Sequence, residues 1–226
     1  MNRKDFFKQL PLFAGLSSAE VELLAGDFVR REFRQEEVIF HQGDPGRVLY
    51  VIESGQVQIL VHGEAGQETS VILYGPGDMF GELAVIDGLP RSATAVAIED
   101  AVVYTLSRDR LREHMRRHPQ LAVNFLQALS TRVRYNTQQV DSLTMLNVPQ
   151  RLARKLLELA QRSGRVMPEG VRIDVGLSQS QLASLVGTSR ESINKALGTF
   201  RKQGLVAVQQ RRIVILDPDG LRDLST

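Results

Sequence analysis

The stretch Phe80–Ala97, FGELAVIDGLPRSATAVA, decides how this chain is read. It alternates like sheet and turn, yet it holds Gly81-Glu82 before a short loop and Arg91-Ser92 after it. A glycine lets the backbone approach a ligand closely and can aim its amide at an anion. An arginine presents a planar fork of donors matched to phosphate. A carboxylate beside them would repel that phosphate unless it accepts from a neutral group, such as a sugar hydroxyl. Glycine, carboxylate, loop, arginine and hydroxyl together point to a sugar-phosphate. The plainer alternative has Gly81 serving a turn and Arg91 pairing with Glu82 on the surface.

Around this stretch, Glu32 to about Leu106 reads as short strands broken by turn signals. VIFHQGDPG, VLYVIESGQVQIL, SVILYGPGDMFGEL and SATAVAIEDAVVYTL alternate β-branched and aromatic residues with Gly, Pro and Asp. Such spacing predicts a small antiparallel β-barrel or jelly roll. A short helix precedes it, where Ser17-Ser18-Ala19-Glu20 makes a capping box before Val21, Leu23 and Leu24. Another follows over Ser107 to Met115.

The period then changes. Pro119 fits the first turn of a helix, and Ala122, Leu126, Leu129, Val133, Asn136, Val140 and Leu143 recur as a heptad stripe. So narrow a stripe predicts a parallel two-stranded coiled coil, hence a homodimer; a lone helix packed on its own barrel wants a broader apolar face. Asn136, with Thr137 beside it, breaks the apolar seam. It serves register, or gives two subunits polar groups with which to read a ligand.

Asn147-Val148-Pro149 ends this helix and marks a boundary and hinge. Arg151 to Arg162 is again amphipathic, with Leu152, Leu156, Leu157 and Ala160 inward, and Gly164 to Val175 reads as irregular or short-stranded. Next, LSQSQLASLVGTSRESINKALGTFRKQGLV contains two short helices joined at Gly187, a helix-turn-helix pattern. Ser178 and Gln181 form the first capping box, and Thr188-Ser189-Arg190-Glu191 the second. Ile193, Ala196, Leu197 and Phe200 make the buried side. Arg190, Glu191, Asn194 and Lys195 share the outer face, the first two near the end from which recognition helices touch bases. Arginine can bind guanine at two atoms, and glutamate can accept from cytosine. Two apolar strands, Leu205–Val208 and Ile213–Leu216, flank Gln209-Gln210-Arg211-Arg212 as a wing whose arginines grip phosphate.

Charge agrees with this division. Residues 1–146 hold 15 Lys and Arg against 19 Asp and Glu, whereas residues 147–226 hold 13 against 7, so only the C-terminal part is basic enough to meet a polyanion. The 226 residues suffice for one large domain or two smaller ones, and no apolar run spans a bilayer. Cysteine is absent, which excludes disulfides, cysteine-ligated zinc and iron–sulfur clusters and agrees with a cytoplasmic location. His114 and His118, in REHMRRH, read as the solvated face of a basic helix rather than a metal site. No nucleophile–base pair, metal cluster or phosphate loop of an enzyme is evident.

The order of these parts resembles the CRP/FNR family of bacterial transcription regulators, most specifically in FGELAV…RSATA, IFHQGD…VLYVIESG and VGTSRESINKAL. The resemblance covers nearly the whole chain. It implies an α+β protein: a cyclic-nucleotide-binding β-barrel or jelly roll over residues 1–117, a dimerisation helix over 118–146 and a winged helix-turn-helix over 147–226. It further implies that Gly81, Glu82, Arg91 and Ser92 form a cyclic-nucleotide cassette. Glu82 would hold the ribose hydroxyl; Arg91 and Ser92 would hold the cyclic phosphate with the amides of Leu83 and Ala84. Arg132 matches an arginine near that glutamate, and Asn136 and Thr137 match residues that meet the base from both subunits. Arg190, Glu191 and Lys195 match base-reading side chains, with Ser178 and Ser189 at phosphate-contacting caps; Asn194 and Arg211 complete the expected DNA surface. The expected effector is cyclic AMP, and the expected partners are double-stranded DNA, a second copy of the chain and RNA polymerase, the last around Met167–Arg172.

Three departures stand out. Asn136 replaces the threonine of the family's cyclic-AMP-responsive pattern, so the base is adenine read differently or another base. Lys195 replaces an arginine, and the wing turn lacks glycine. Open alternatives are a regulator that needs no effector, one using haem or a cyclic dinucleotide, and a nucleotide-binding regulatory subunit of an enzyme, which would lack DNA affinity.

Overall fold

The structure, a computed structural model, describes residues 3–62, 68–209 and 212–225. It divides into two compact units: one of Met1–Gln67 and Val71–Asn136, the other of Glu68–Ser70 and Thr137–Thr226. The chain order begins α1 (Arg3–Gln9), a single 3-10 turn, α2 (Ser18–Gly26), β1 (Val29–Phe33), β2 (Val38–Phe40), β3 (Val48–Ser54), β4 (Val57–His62), β5 (Glu68–Tyr74) and β6 (Met79–Phe80). Then come α3 (Glu82–Asp87), β7 (Thr94–Ala97), β8 (Ala101–Ser107), α4 (Arg108–Arg117) and α5 (Pro119–Met145).

The strands form two four-stranded sheets, β1-β8-β3-β6 and β2-β7-β4-β5. The pairings β1–β8, β3–β8, β3–β6, β2–β7 and β4–β7 are antiparallel. They are open sheets of a jelly roll rather than a closed barrel. The period-2 pattern of the central strands explains why. Tyr50 and Ile52 of β3, with Ala101 and Val103 of β8, face Ala95, Ala97, Ile72 and Tyr74 of the other sheet. Leu49, Val51, Tyr104 and Leu106 point the opposite way, into a second core with Phe6, Phe7, Leu24, Leu111, Leu121 and Phe125 of the helices. Both faces of the central strands β3 and β8 are therefore apolar and covered, while β1 at the sheet's edge is largely exposed.

Local signals account for the helix ends. Ser17 Oγ accepts from the Glu20 amide while the Glu20 carboxylate accepts from the Ser17 amide at 2.7 Å, the expected capping box. Hydrogen bonds to its carboxylate from the Ser17 hydroxyl, the Ser17 amide and His118 lower the Glu20 carboxyl to about 2. Val21 and Leu24 are buried, but Leu23 faces solvent, as helical geometry requires of the intervening position. The short loop expected after Glu82 is instead the helix α3.

The histidines of α4 correct their sequence reading. His114 is buried and its Nε2 lies 2.8 Å from the Asp27 carboxylate; His118 Nδ1 lies 3.0 Å from Glu20. Both anchor α4 and its C-cap to the α2 region instead of facing solvent. Further along, Leu126, Val133, Val140 and Leu143 of the α5 stripe are all exposed on this chain.

The second unit continues with α6 (Val148–Ser163), β9 (Gly164–Met167), β10 (Gly170–Ile173), α7 (Gln179–Val186), α8 (Arg190–Lys202), β11 (Val206–Gln209), β12 (Arg212–Ile215) and α9 (Pro218–Leu224). The break falls at the expected proline: Asn147 caps α6 reciprocally with Gln150. Leu152, Ala153, Leu156 and Leu159 are the buried apolar residues of α6, joined by Lys155, while Leu157 and Ala160 are only half-buried, because α6 packs through a face rotated from the expected one. The segment after Gly164 is a hairpin whose strand β10 pairs with β12, giving a sheet of order β11-β12-β10-β9.

Candidate functional site

In the first unit, a cavity of about 240 Å³ brings together Gly81, Glu82, Leu83, Ala84, Arg91, Ser92, Arg132 and Asn136. Thr137, one position further along α5, is exposed and is not among the lining residues. Ile59 and Val61 of β4 with Val71, Ile72 and Tyr74 of β5 supply an apolar wall. The cavity thus has a polar end and an apolar end, as a sugar-phosphate joined to a flat base requires.

The polar end is built around Arg91, which does not pair with Glu82 on the surface. Its side chain is buried, and its two terminal nitrogens donate to the Gly81 carbonyl at 2.5 Å and the Val48 carbonyl at 2.8 Å. Its Nε has no hydrogen-bond partner. The guanidinium carbon lies 4.2 Å from the Phe40 ring centroid and 5.5 Å from that of Tyr50, stacking that fixes its plane. Among the described residues no carboxylate reaches it within ion-pair distance, and burial lowers its pKa, opposed by Tyr50, Glu82 and Asp44. A desolvated cation with neutral partners favours an incoming anion.

Glu82 is only 1% exposed and is neutralised by the Arg132 guanidinium, whose Nη2 also donates to the Met79 carbonyl at 2.7 Å. The Arg132 guanidinium also lies 4.8 Å from the Tyr74 ring centroid. With its charge balanced, Glu82 can accept a hydroxyl without repelling a phosphate at Arg91. Gly81 makes the approach possible: it caps α3 at φ 73°, where L side chains are strained.

In the second unit, Gly187 ends α7 at φ 70° and ψ 49° and turns the chain into α8. Ser178 caps α7 with Gln181 as expected. Ser189, not Thr188, caps α8, its Oγ accepting from the Ser192 amide at 3.1 Å. Glu191 is therefore not the acidic member of a capping box. Both hydroxyl residues suit a cap, and the helix took the later one. Ile193, Ala196, Leu197 and Phe200 are buried, leaving Arg190, Glu191, Asn194 and Lys195 exposed together on the opposite face. Arg211, expected on the wing, lies outside the described residues.

Sequence reasoning missed the aromatic support of Arg91 by Phe40 and Tyr50 and the apolar wall of β4 and β5. Those residues read only as strand formers. It also passed over Gly46, where a Cβ would lie 3.1 Å from Arg91 Nε and 2.2 Å from the Ala84 Cβ. The second glycine of HQGDPG was the available signal.

Comparison with known proteins accords with both halves. Residues 30–118 match the family described as a cyclic nucleotide-binding domain, and residues 150–224 match a Crp-like helix-turn-helix domain. A CRP-like cAMP-activated global transcriptional regulator of Mycobacterium tuberculosis is 33% identical over 93% of this chain and 94% of its own. The cyclic AMP receptor protein of Thermus thermophilus is 36% identical over 96% of this chain and 98% of its own. A solved CRP/FNR-family transcriptional regulator from Thermus thermophilus, 26% identical, covers 87% of this chain and 98% of its own with a TM-score of 0.74. With both domain models matched in this order and two relatives above 30% identity covered over more than nine-tenths of either chain, the chain belongs to the CRP/FNR family of DNA-binding, non-enzymatic transcription regulators.

Proposed function

We propose that the protein acts as a homodimer whose affinity for a palindromic operator is raised by cyclic AMP held in the cavity of the first unit. The observation that carries this reading is Arg91, a buried guanidinium with two neutral carbonyl partners beside the charge-balanced Glu82. Arg91 and Ser92 take the cyclic phosphate with the amides of Leu83 and Ala84. Glu82 takes the ribose hydroxyl, and the base lies against the wall of β4 and β5 near Asn136. The relatives named for cyclic AMP support that choice of nucleotide.

The coupling follows from helix geometry. Arg132 and Asn136 lie one turn apart on α5 and line the cavity, while Val133 and Val140 belong to the exposed stripe. A ligand that engages the first pair biases how the second pair meets its partner, provided its affinity differs between the two arrangements. In the DNA-bound dimer, Arg190, Glu191, Asn194 and Lys195 read base edges, while Ser178, Ser189 and Arg211 hold phosphates. RNA polymerase is the further partner. Calorimetric titration of cyclic AMP and cyclic GMP into the wild type and Arg91→Gln tests the reading. It expects saturable heat that disappears in the variant; equal heats, or none with either nucleotide, would reject it.

A further inference from the structure

Within the second unit, one side chain bridges the helix break. Arg151 of α6 donates from Nη1 to the Leu146 carbonyl at 2.9 Å, just past the end of α5. Its Nε donates at 3.0 Å to the carbonyl of Val186, the last residue of α7, and its Nη2 at 3.2 Å to that of Gly187, which turns the chain toward α8. One turn on, the buried Lys155 reaches Glu158 at 2.7 Å and Gln139 of α5 at 3.4 Å. Leu143 packs so closely on the same turn that a Cβ at Gly187 would lie 2.8 Å from its Cδ2.

We propose that Arg151 is a positioning residue that locks the helix-turn-helix to the last turns of α5 and Leu146 beyond them, residues 139–146, so the recognition helix and that end of α5 move together. The break at Asn147-Val148-Pro149 turns the chain but is not a free hinge. A cation is favoured at the C-terminal end of α5. Three carbonyls in separate directions need the guanidinium's fan of donors, which a lysine's point charge cannot supply. The functional consequence rests on reading α5 as the dimer helix and α8 as the DNA-reading helix.

The first arm of the test needs no DNA. The chain has no cysteine, so Gln138→Cys on α5 and Thr199→Cys on α8 each accept one spin label cleanly. Double electron–electron resonance on labelled chain diluted with unlabelled chain reads the distance within one chain. The expected result is one narrow distance with or without cyclic AMP, markedly broadened or split by Arg151→Met and less so by Arg151→Lys. A broad distribution in the parent, or an unchanged narrow one in Arg151→Met, overturns the proposal; if that variant fails to fold, the same reading is taken from Arg151→Lys. A second arm measures DNA. Arg151→Lys should bind a single half-site nearly as the wild type does but a two-half-site operator about tenfold more weakly, because loss of positioning costs the linked second contact. Equal losses on both sites would make Arg151 a contact or purely structural residue. Absence of nucleotide gating would sink the functional reading and leave the distance result standing.

Discussion

Gly81 and Arg91 fix one another: Arg91 Nη1 donates to the Gly81 carbonyl at 2.5 Å, and a Cβ at Gly81 would lie 2.6 Å from that nitrogen. The residue that opens α3 thus sets the place of the cation ten residues on. Gly81→Ala carries two costs, a left-handed φ of 73° and displacement of a buried guanidinium. It should destabilise the fold by about 1–3 kcal/mol and weaken cyclic-nucleotide binding together with it. Urea denaturation and calorimetry check this; an unchanged midpoint and affinity would refute the mutual constraint.

Arg91→Met should separate binding from stability. The methionine fills much of the same volume between Phe40 and Tyr50 and removes a buried charge that has no carboxylate partner. Thermal unfolding should change little, while nucleotide affinity falls on the order of 100-fold through loss of a charge-assisted phosphate contact. A collapse in stability with affinity kept would mean that Arg91 serves the fold.

The α5 stripe predicts an oligomeric state. Val140 is 61% exposed on the single chain, so Val140→Glu should leave the thermal midpoint of the individual units largely intact. Facing its own copy across a seam, the carboxylate would be repelled and desolvated. Sedimentation should show a dimer for the wild type and a monomer for the variant at the same concentration. A wild-type monomer contradicts the seam.

Acid sensitivity should trace to Glu20. The Ser17 hydroxyl and amide, then His118, hold its carboxyl at about 2 against an ordinary 4.5. A depressed folded-state value contributes stability above pH 4.5 that is lost as pH falls toward 2. Wild type should therefore exceed Glu20→Gln in stability at pH 6, with the difference shrinking over that window. A constant difference would show that the capping box is not the titrating link.

On the recognition face, Lys195→Arg should sharpen base preference. A guanidinium can bind guanine at two atoms, worth about 1–3 kcal/mol of discrimination, where lysine offers a point charge. Selection from a randomised operator pool should show one position becoming more strongly guanine. An unchanged preference would place residue 195 away from the bases.

Local patterns carried much of this fold. The boxes Ser17–Glu20 and Ser178–Gln181, the proline after Val148 and the helix α5 itself are decided by neighbours within a few residues, and each was legible. His114 and His118 were misread because their partners, Asp27 and Glu20, lie in distant sequence. The α8 cap was misplaced by one residue because Thr188 and Ser189 compete on nearly equal terms. The polar end of the cavity was legible as Gly81-Glu82 and Arg91-Ser92. Its aromatic support and apolar wall were not, since Phe40, Tyr50 and Tyr74 converge only through sheet pairing and packing.

The most direct measurement is fluorescence anisotropy of a labelled operator at one fixed salt concentration, titrated with protein in the absence and presence of cyclic AMP, for wild type and Arg91→Gln. The account predicts that cyclic AMP tightens wild-type binding, and that the variant binds at the nucleotide-free level in both conditions. Equal wild-type affinities with and without cyclic AMP, with the nucleotide shown to be bound, would contradict it.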